Sequence, residues 1–215
     1  MNNIKESINS IGGDVFCLGL NDNNIGLDGS SQILMWAAWE CPLDVIMTPG
    51  FAQLSPPNCT HINWTTLIYF KLHGEESLLD VYQSALKFIR PGDFIVFVVS
   101  ADKRVSQGDN RDTRFEFGNR LEWTTEQPLK SLPFYVNDAD LEQLITDMRN
   151  LFTNSQVEGI VRVEYDAPST TTAQLMCRVA MEERADAMII KRNKCTRNLI
   201  IECAQECPCS IVVIK

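Results

Sequence analysis

From residue 64 onward the apolar positions switch repeatedly between two spacings. Residues 66–72 (TLIYFKL) are β-branched and aromatic and stop at Gly74, which predicts a strand. Between 76 and 89 the apolar residues Leu78, Tyr82, Ala85, Leu86 and Ile89 recur at helical spacing, and Arg90-Pro91-Gly92 ends that helix. Residues 93–100 (DFIVFVVS) form a continuous apolar run, the mark of a strand buried on both faces. Residues 140–152 carry Leu141, Leu144, Ile145, Met148, Leu151 and Phe152 on one stripe, the clearest helix of the chain. A strand at 157–163, a helix at 171–184 and a strand at 187–190 follow. A short helix from 196 or 197 to 206 and a last strand at 211–214 complete the series. Strands that alternate with helices imply a parallel sheet covered on both faces.

Two regions break the alternation. Residues 102–138 are polar, with Gly108, Gly118, Pro128 and Pro133. A loop of that length inside a domain is usually functional or mobile. Residues 1–61 hold a candidate strand at 14–20 (DVFCLGL) and a helix at 30–40 (SSQILMWAAWE), N-capped by Asp28 or Ser30. Pro42, Pro49, Pro56 and Pro57 then punctuate an extended run. The expected organisation is an acidic N-terminal extension over 1–61 and an α/β domain over 62–215.

Composition narrows the function. The 215 residues are 45 % apolar and 22 % charged, ordinary globular values. No run reaches the roughly 18 apolar residues of a membrane helix, and the polar opening does not read as a signal peptide. The net charge of −9 argues against nucleic acid as a partner, since such binding neutralises phosphates. Residues 1–61 set six acidic side chains against Lys5 alone, for −5, which leaves −4 for the remainder. The plain reading is a solvated acidic face; the sharper one is an arm that docks on a basic surface.

Four stretches resemble the universal stress protein domain. Residues 185–190 (ADAMII) are similar to that family's ADLIVV strand, and 207–214 (CPCSIVVI) to its APCPVLVV ending. Residues 165–168 (YDAP) stand where the family often has a Gly-Asp-Pro-like turn, and 72–77 (LHGEES) where it has VDGSEES. The resemblance implies an α/β doubly wound, five-stranded parallel sheet of order 3-2-1-4-5 beside an irregular N-terminal extension. It also implies a nucleotide site, from which this sequence departs. ATP-binding members have a Gly-x-x-Gly-x9-Gly-Ser/Thr run after the fourth strand, whose backbone N–H groups approach the phosphates. Here Lys191-Arg192-Asn193-Lys194-Cys195-Thr196-Arg197-Asn198 stands in its place, shorter and without glycine. The family's Asp at the end of the first strand falls on His73, beside Gly74. The expected cofactor is therefore none, with ATP or AMP as the alternative.

Lys191, Arg192, Lys194 and Arg197 form a basic loop where such folds bind ligands. It is either an anion site made of side chains or a solvated loop that meets acid from the extension. Cys195, Cys203, Cys207 and Cys209 cluster in sequence, but no C-x-x-C pair is present and the only histidines are His61 and His73. They read as buried small hydrophobes in a reducing compartment, with no metal expected. His73 with Asp102 would be a thin acid–base couple. No G-x-S-x-G, Walker A or H-E-x-x-H motif is present, so no enzyme activity is expected. Gly26-Leu27-Asp28-Gly29-Ser30-Ser31 reads as a turn and helix cap, because Asp28 would repel an anion.

Trp36 and Trp39 read either as core or as anchors in a partner. The strand 211–214, with Ile211 and Val213, is expected at a sheet edge, where residues 14–20 or a second copy would cover it. The function expected from all this is a non-catalytic, pseudo-nucleotide-binding module of a larger cytoplasmic assembly, cytoskeletal or ciliary assembly being one setting. Its protein partners would bind through the extension, the 102–138 loop or the C-terminal strand, with a homodimer as another outcome. The alternative is a nucleotide- or anion-binding stress-response protein.

Overall fold

Eight strands and five helices take up the apolar segments in the computed structural model, which describes residues 15–20, 30–49, 63–101, 114–117, 139–165 and 170–215. In chain order these are β1 (Val15–Leu20), α1 (Ser30–Trp39), β2 (Asp44–Pro49), β3 (Thr65–Lys71), α2 (Leu78–Leu86), β4 (Phe94–Ala101) and β5 (Arg114–Phe117). There follow α3 (Ala139–Ser155), β6 (Glu158–Tyr165), α4 (Thr172–Glu182), β7 (Ala187–Lys191), α5 (Arg197–Glu206) and β8 (Ser210–Ile214). None of these helices is long and apolar enough to cross a membrane. The chain divides into two compact units, one made of the residues up to 62 with 172–215, the other of 63–171.

In the unit of 63–171 the strands lie in the order β3-β4-β6-β5. β3, β4 and β6 are parallel, and β5 runs antiparallel to β6. The run of Ile95, Val96, Phe97, Val98 and Val99 is fully buried, as a strand covered on both faces requires. Tyr82 of α2 and Phe152 of α3 meet edge to face at 5.8 Å, so both helices bury their stripes on one side. The helix expected over 76–89 is shorter, because Phe88 and Ile89 donate to carbonyls three residues back, the bonding of a tightened last turn.

Asp93 then fixes the start of β4. Its buried carboxylate accepts from the Trp64 N–H at 2.9 Å and the Arg90 N–H at 2.8 Å. Asp93→Ala strands both donors and is expected to lower stability by about 2–3 kcal/mol. Asp93→Asn, which keeps an acceptor oxygen, should cost about half that. Equilibrium urea unfolding reads the difference; equal midpoints for D93A and wild type would count against this role.

In the other unit the order is β1-β2-β8-β7. β1 and β2 are parallel, β7 and β8 are parallel, and β2 joins β8 antiparallel, with Val45, Ile46 and Met47 opposite Val213, Val212 and Ile211. The Lys215 N–H bonds the Asp44 carboxylate at 3.0 Å at the end of that seam. α1 buries Leu34, Trp36, Ala37 and Ala38, and the Trp36 ring meets Phe16 of β1 edge-on at 5.5 Å.

The arrangement corrects the fold expected from sequence. The chain does not form a five-stranded parallel sheet of order 3-2-1-4-5 beside an irregular extension. Among the described residues there are eight strands, and the pairing is mixed. The residues before 62 supply two strands and a helix, and β8 lies between β2 and β7 instead of at an edge. The physical reason is β2. Its residues DVIMTP hold an apolar run of only three, Val45 to Met47, with Pro42 before it and Pro49 at its end, which hides a strand whose partner is far away in sequence.

Candidate functional site

The basic loop between β7 and α5 closes on itself. Oδ1 of Asn193 accepts from the Cys195 N–H at 2.7 Å and from the Thr196 N–H at 2.8 Å. The Thr196 hydroxyl accepts from the Asn193 N–H at 2.9 Å and donates to the Lys191 carbonyl at 2.8 Å. A side-chain amide thus takes two backbone donors at the start of α5, where an anion held by a helix N-terminus would look for them. Both residue types suit such a turn, because their short polar side chains reach their own backbone.

Arg192 turns the other way. Its guanidinium donates to the carbonyls of Cys41 and Ala37, the latter at 3.0 Å, and reaches that of Leu43 at 3.5 Å. These are the free carbonyls at the C-terminal end of α1 and in the turn leading to β2. A cation there also meets the negative end of the helix dipole. Burial pulls Arg192 below its ordinary pKa, and Cys41 and Asp44 oppose that shift.

Arg197 lies over the Trp39 ring, 5.4 Å from its centre, a cation–π contact from α5 to the end of α1. Lys194 and Asn198 are exposed, and Lys191 is half-buried. Of the basic residues predicted as an anion site, the fold commits Arg192 and Arg197 to the N-terminal segment. The acidic-arm and basic-loop encounter considered from sequence is thus made mostly of carbonyls and an indole.

The other candidates are dispersed. His73 follows β3 with φ of 59°, a left-handed conformation unusual outside glycine, and Gly74 is exposed next to it. The His73 Nδ1 lies 3.7 Å from the Asp140 carboxylate at the exposed start of α3. Asp102, the 26–29 turn, His61 and most of the 102–138 loop lie outside the described residues, except that 114–117 of that loop forms β5. Trp36 is buried and Trp39 half-buried, both against their own chain; Ile211 and Val213 are 1 % and 0 % exposed in β8.

Sequence reading missed one grouping. The sulfurs of Cys177, Cys203 and Cys207 all lie within 4.8 Å of one another, and all three residues are buried. Cys203 and Cys207 stand four apart, so α5 and its C-cap present them on one face. Cys177 comes from α4, 26 residues earlier, which packs against α5. The four-residue spacing is visible in the sequence; the third sulfur needs the helix packing. Hydrogen bonds from the Cys203 and Cys207 thiols pull the Cys177 thiol well below its ordinary pKa, while the same sharing pushes those two up.

No protein-family model matches the chain, and no curated protein matches it in sequence. Solved structures do. A universal stress protein from Archaeoglobus fulgidus DSM 4304 superposes with a TM-score of 0.55 at 11 % identity, covering 100 % of this chain and 64 % of that one. A protein of the universal stress protein family from Burkholderia pseudomallei matches with a TM-score of 0.42 at 17 % identity, covering 69 % of this chain and 94 % of that one. The chain therefore has a fold of the universal stress protein kind.

Proposed function

We propose that this chain is a non-catalytic module of the universal stress protein type that works through protein contacts instead of a bound nucleotide. The observation that carries the reading is the loop of residues 191–198. It has no glycine, its Asn193 side chain holds the N–H groups of Cys195 and Thr196, and Arg192 is spent on the N-terminal segment. A phosphate would have to displace bonds the loop already makes. The absence of nucleophile-elbow, P-loop and zinc-protease motifs supports a role without catalysis. Its partners would dock on the N-terminal segment, on the 102–138 loop or along the C-terminal strand, in a reducing cytoplasmic setting such as a cytoskeletal or ciliary assembly. Self-association is the simplest such contact.

A second reading has its own support. The fold likeness is to universal stress proteins, and Lys194 is exposed in a loop free of acid. On that reading the chain is a nucleotide- or anion-binding stress-response protein whose anion site is built around Lys191 and Lys194, since Arg192 is held by the N-terminal segment.

One measurement separates the two. The purified full chain is analysed chromatographically for co-purified nucleotide and then titrated calorimetrically with ATP and AMP. The first reading expects no bound nucleotide and no saturable heat at millimolar ATP. Stoichiometric ATP or AMP, lost in a Lys191→Ala, Lys194→Ala chain, would establish the second in its place.

A further inference from the structure

The buried sulfurs lie apart from the basic loop and carry an inference independent of it. We propose that Cys177, Cys203 and Cys207 form a binding site for a thiophilic cation, Zn2+ or Cu+. Three observations converge on this. First, the geometry is close to that of a filled site. Three sulfurs about 2.3 Å from one ion stand about 4 Å apart, so the observed spacing of at most 4.8 Å closes with shifts of about half an ångström. Side-chain rotation alone supplies that.

Second, the ligand set is uniform. Among the described residues the group contains sulfur only, with no carboxylate or imidazole. Hard cations such as Mg2+ and Ca2+ prefer oxygen, whereas thiolates select Zn2+ and Cu+. Cys209 stands two residues beyond Cys207 in sequence and is buried as well.

Third, the supports are rigid. Cys177 sits within α4, and Cys203 sits within α5. The Cys207 N–H donates to the Cys203 carbonyl at 2.9 Å, which locks the C-cap. Ligands on helices are held more accurately than ligands on loops. Thiol ligands must shed their protons to hold a cation. An incoming cation replaces those protons, which leave to solvent, and no sulfur changes oxidation state.

The test uses the full chain with Cys17, Cys59 and Cys195 changed to serine. Cys17 and Cys195 are exposed and would bind metal adventitiously, and Cys59 lies outside the described residues. The reduced protein is titrated without oxygen, in one arm with Zn2+ against a chromogenic chelator and in the other with Cu+ against a copper(I) chelator. We expect one ion per chain in at least one arm. Peptide mapping after iodoacetamide in mild denaturant should show Cys177, Cys203 and Cys207 alkylated more slowly with that ion than in the metal-free chain. Cys177→Ala, with an unchanged circular dichroism spectrum, should weaken binding by about a hundredfold or more.

Cys203 is 0 % exposed, so its replacement risks the fold. The alkylation pattern of the parent chain keeps the proposal testable if the variants fail to fold. No ion bound in either arm overturns the site. So does binding that survives Cys177→Ala, or protection that leaves these three thiols reactive. None of these results bears on the ATP titration, so the two proposals stand or fall separately.

Discussion

Arg192→Ala is expected to lower the stability of the chain by about 3 kcal/mol and to free the N-terminal segment before the rest unfolds. The guanidinium serves the Ala37, Cys41 and Leu43 carbonyls together. A hydrogen bond to a charged group contributes about 1.5–3 kcal/mol, and acceptors left unsatisfied in a half-buried place cost more than the mean bond. The three do not add fully, because water can reach part of the gap. Arg192→Lys keeps the charge but has no planar fork to span several carbonyls, so it should recover about a third of the loss. Hydrogen exchange across 30–49 is the direct readout. Faster exchange there, with 94–101 unchanged, fits the anchor; uniform exchange in the variant and wild type would refute it.

Gly159→Ala is expected to be about as damaging, through packing instead of bonding. Gly159 of β6 pairs with Ile95 of β4. A Cβ on Gly159 would lie 2.4 Å from the Ile95 carbonyl oxygen and 3.2 Å from the Ile95 carbonyl carbon. Those are backbone atoms of a buried strand, so no side chain can swing aside. One strand must back away from the other, and about 3 kcal/mol is the upper end of ordinary overpacking costs. Gly19→Ala is the control. Its nearest neighbour would be the Thr48 hydroxyl at 4.0 Å, so the change should be within about 0.5 kcal/mol of neutral. Thermal unfolding of the two variants should differ plainly. A Gly159→Ala chain that melts with the wild type would show that β6 has slack the structure does not indicate.

What the sequence disclosed depended on how far apart the cooperating residues are. The buried strand of 94–101 and the helix of 139–155 announce themselves, because a continuous apolar run and a 3.6-residue stripe are local signals. β2 did not. Its partner β8 lies some 170 residues away, and nothing in DVIMTP between two prolines names that partner. The five-stranded, all-parallel sheet expected by resemblance gave way for that reason. The candidate site followed the same rule. The four cations of 191–197 were visible as a run, but their directions were not. A cation looks alike in sequence whether it faces a phosphate or, as Arg192 does, a row of carbonyls. The role of Asn193 was readable in principle, since Asn and Thr three apart ahead of a helix often fold back on the backbone. The sulfur cluster was half visible, as the four-residue spacing of Cys203 and Cys207.

The antiparallel seam of β2 and β8 also sets a timetable. Val45 leaves the ribosome 168 residues ahead of Val213, its partner in the sheet. At about 5–20 residues per second, β2 waits roughly ten to thirty seconds for the strand that completes it. Throughout that interval its Val45 and Met47, fully buried at the end, have an open edge to offer. The nascent chain therefore carries an unpaired β2 edge until β8 arrives, and a chaperone that holds β2 would act in that window.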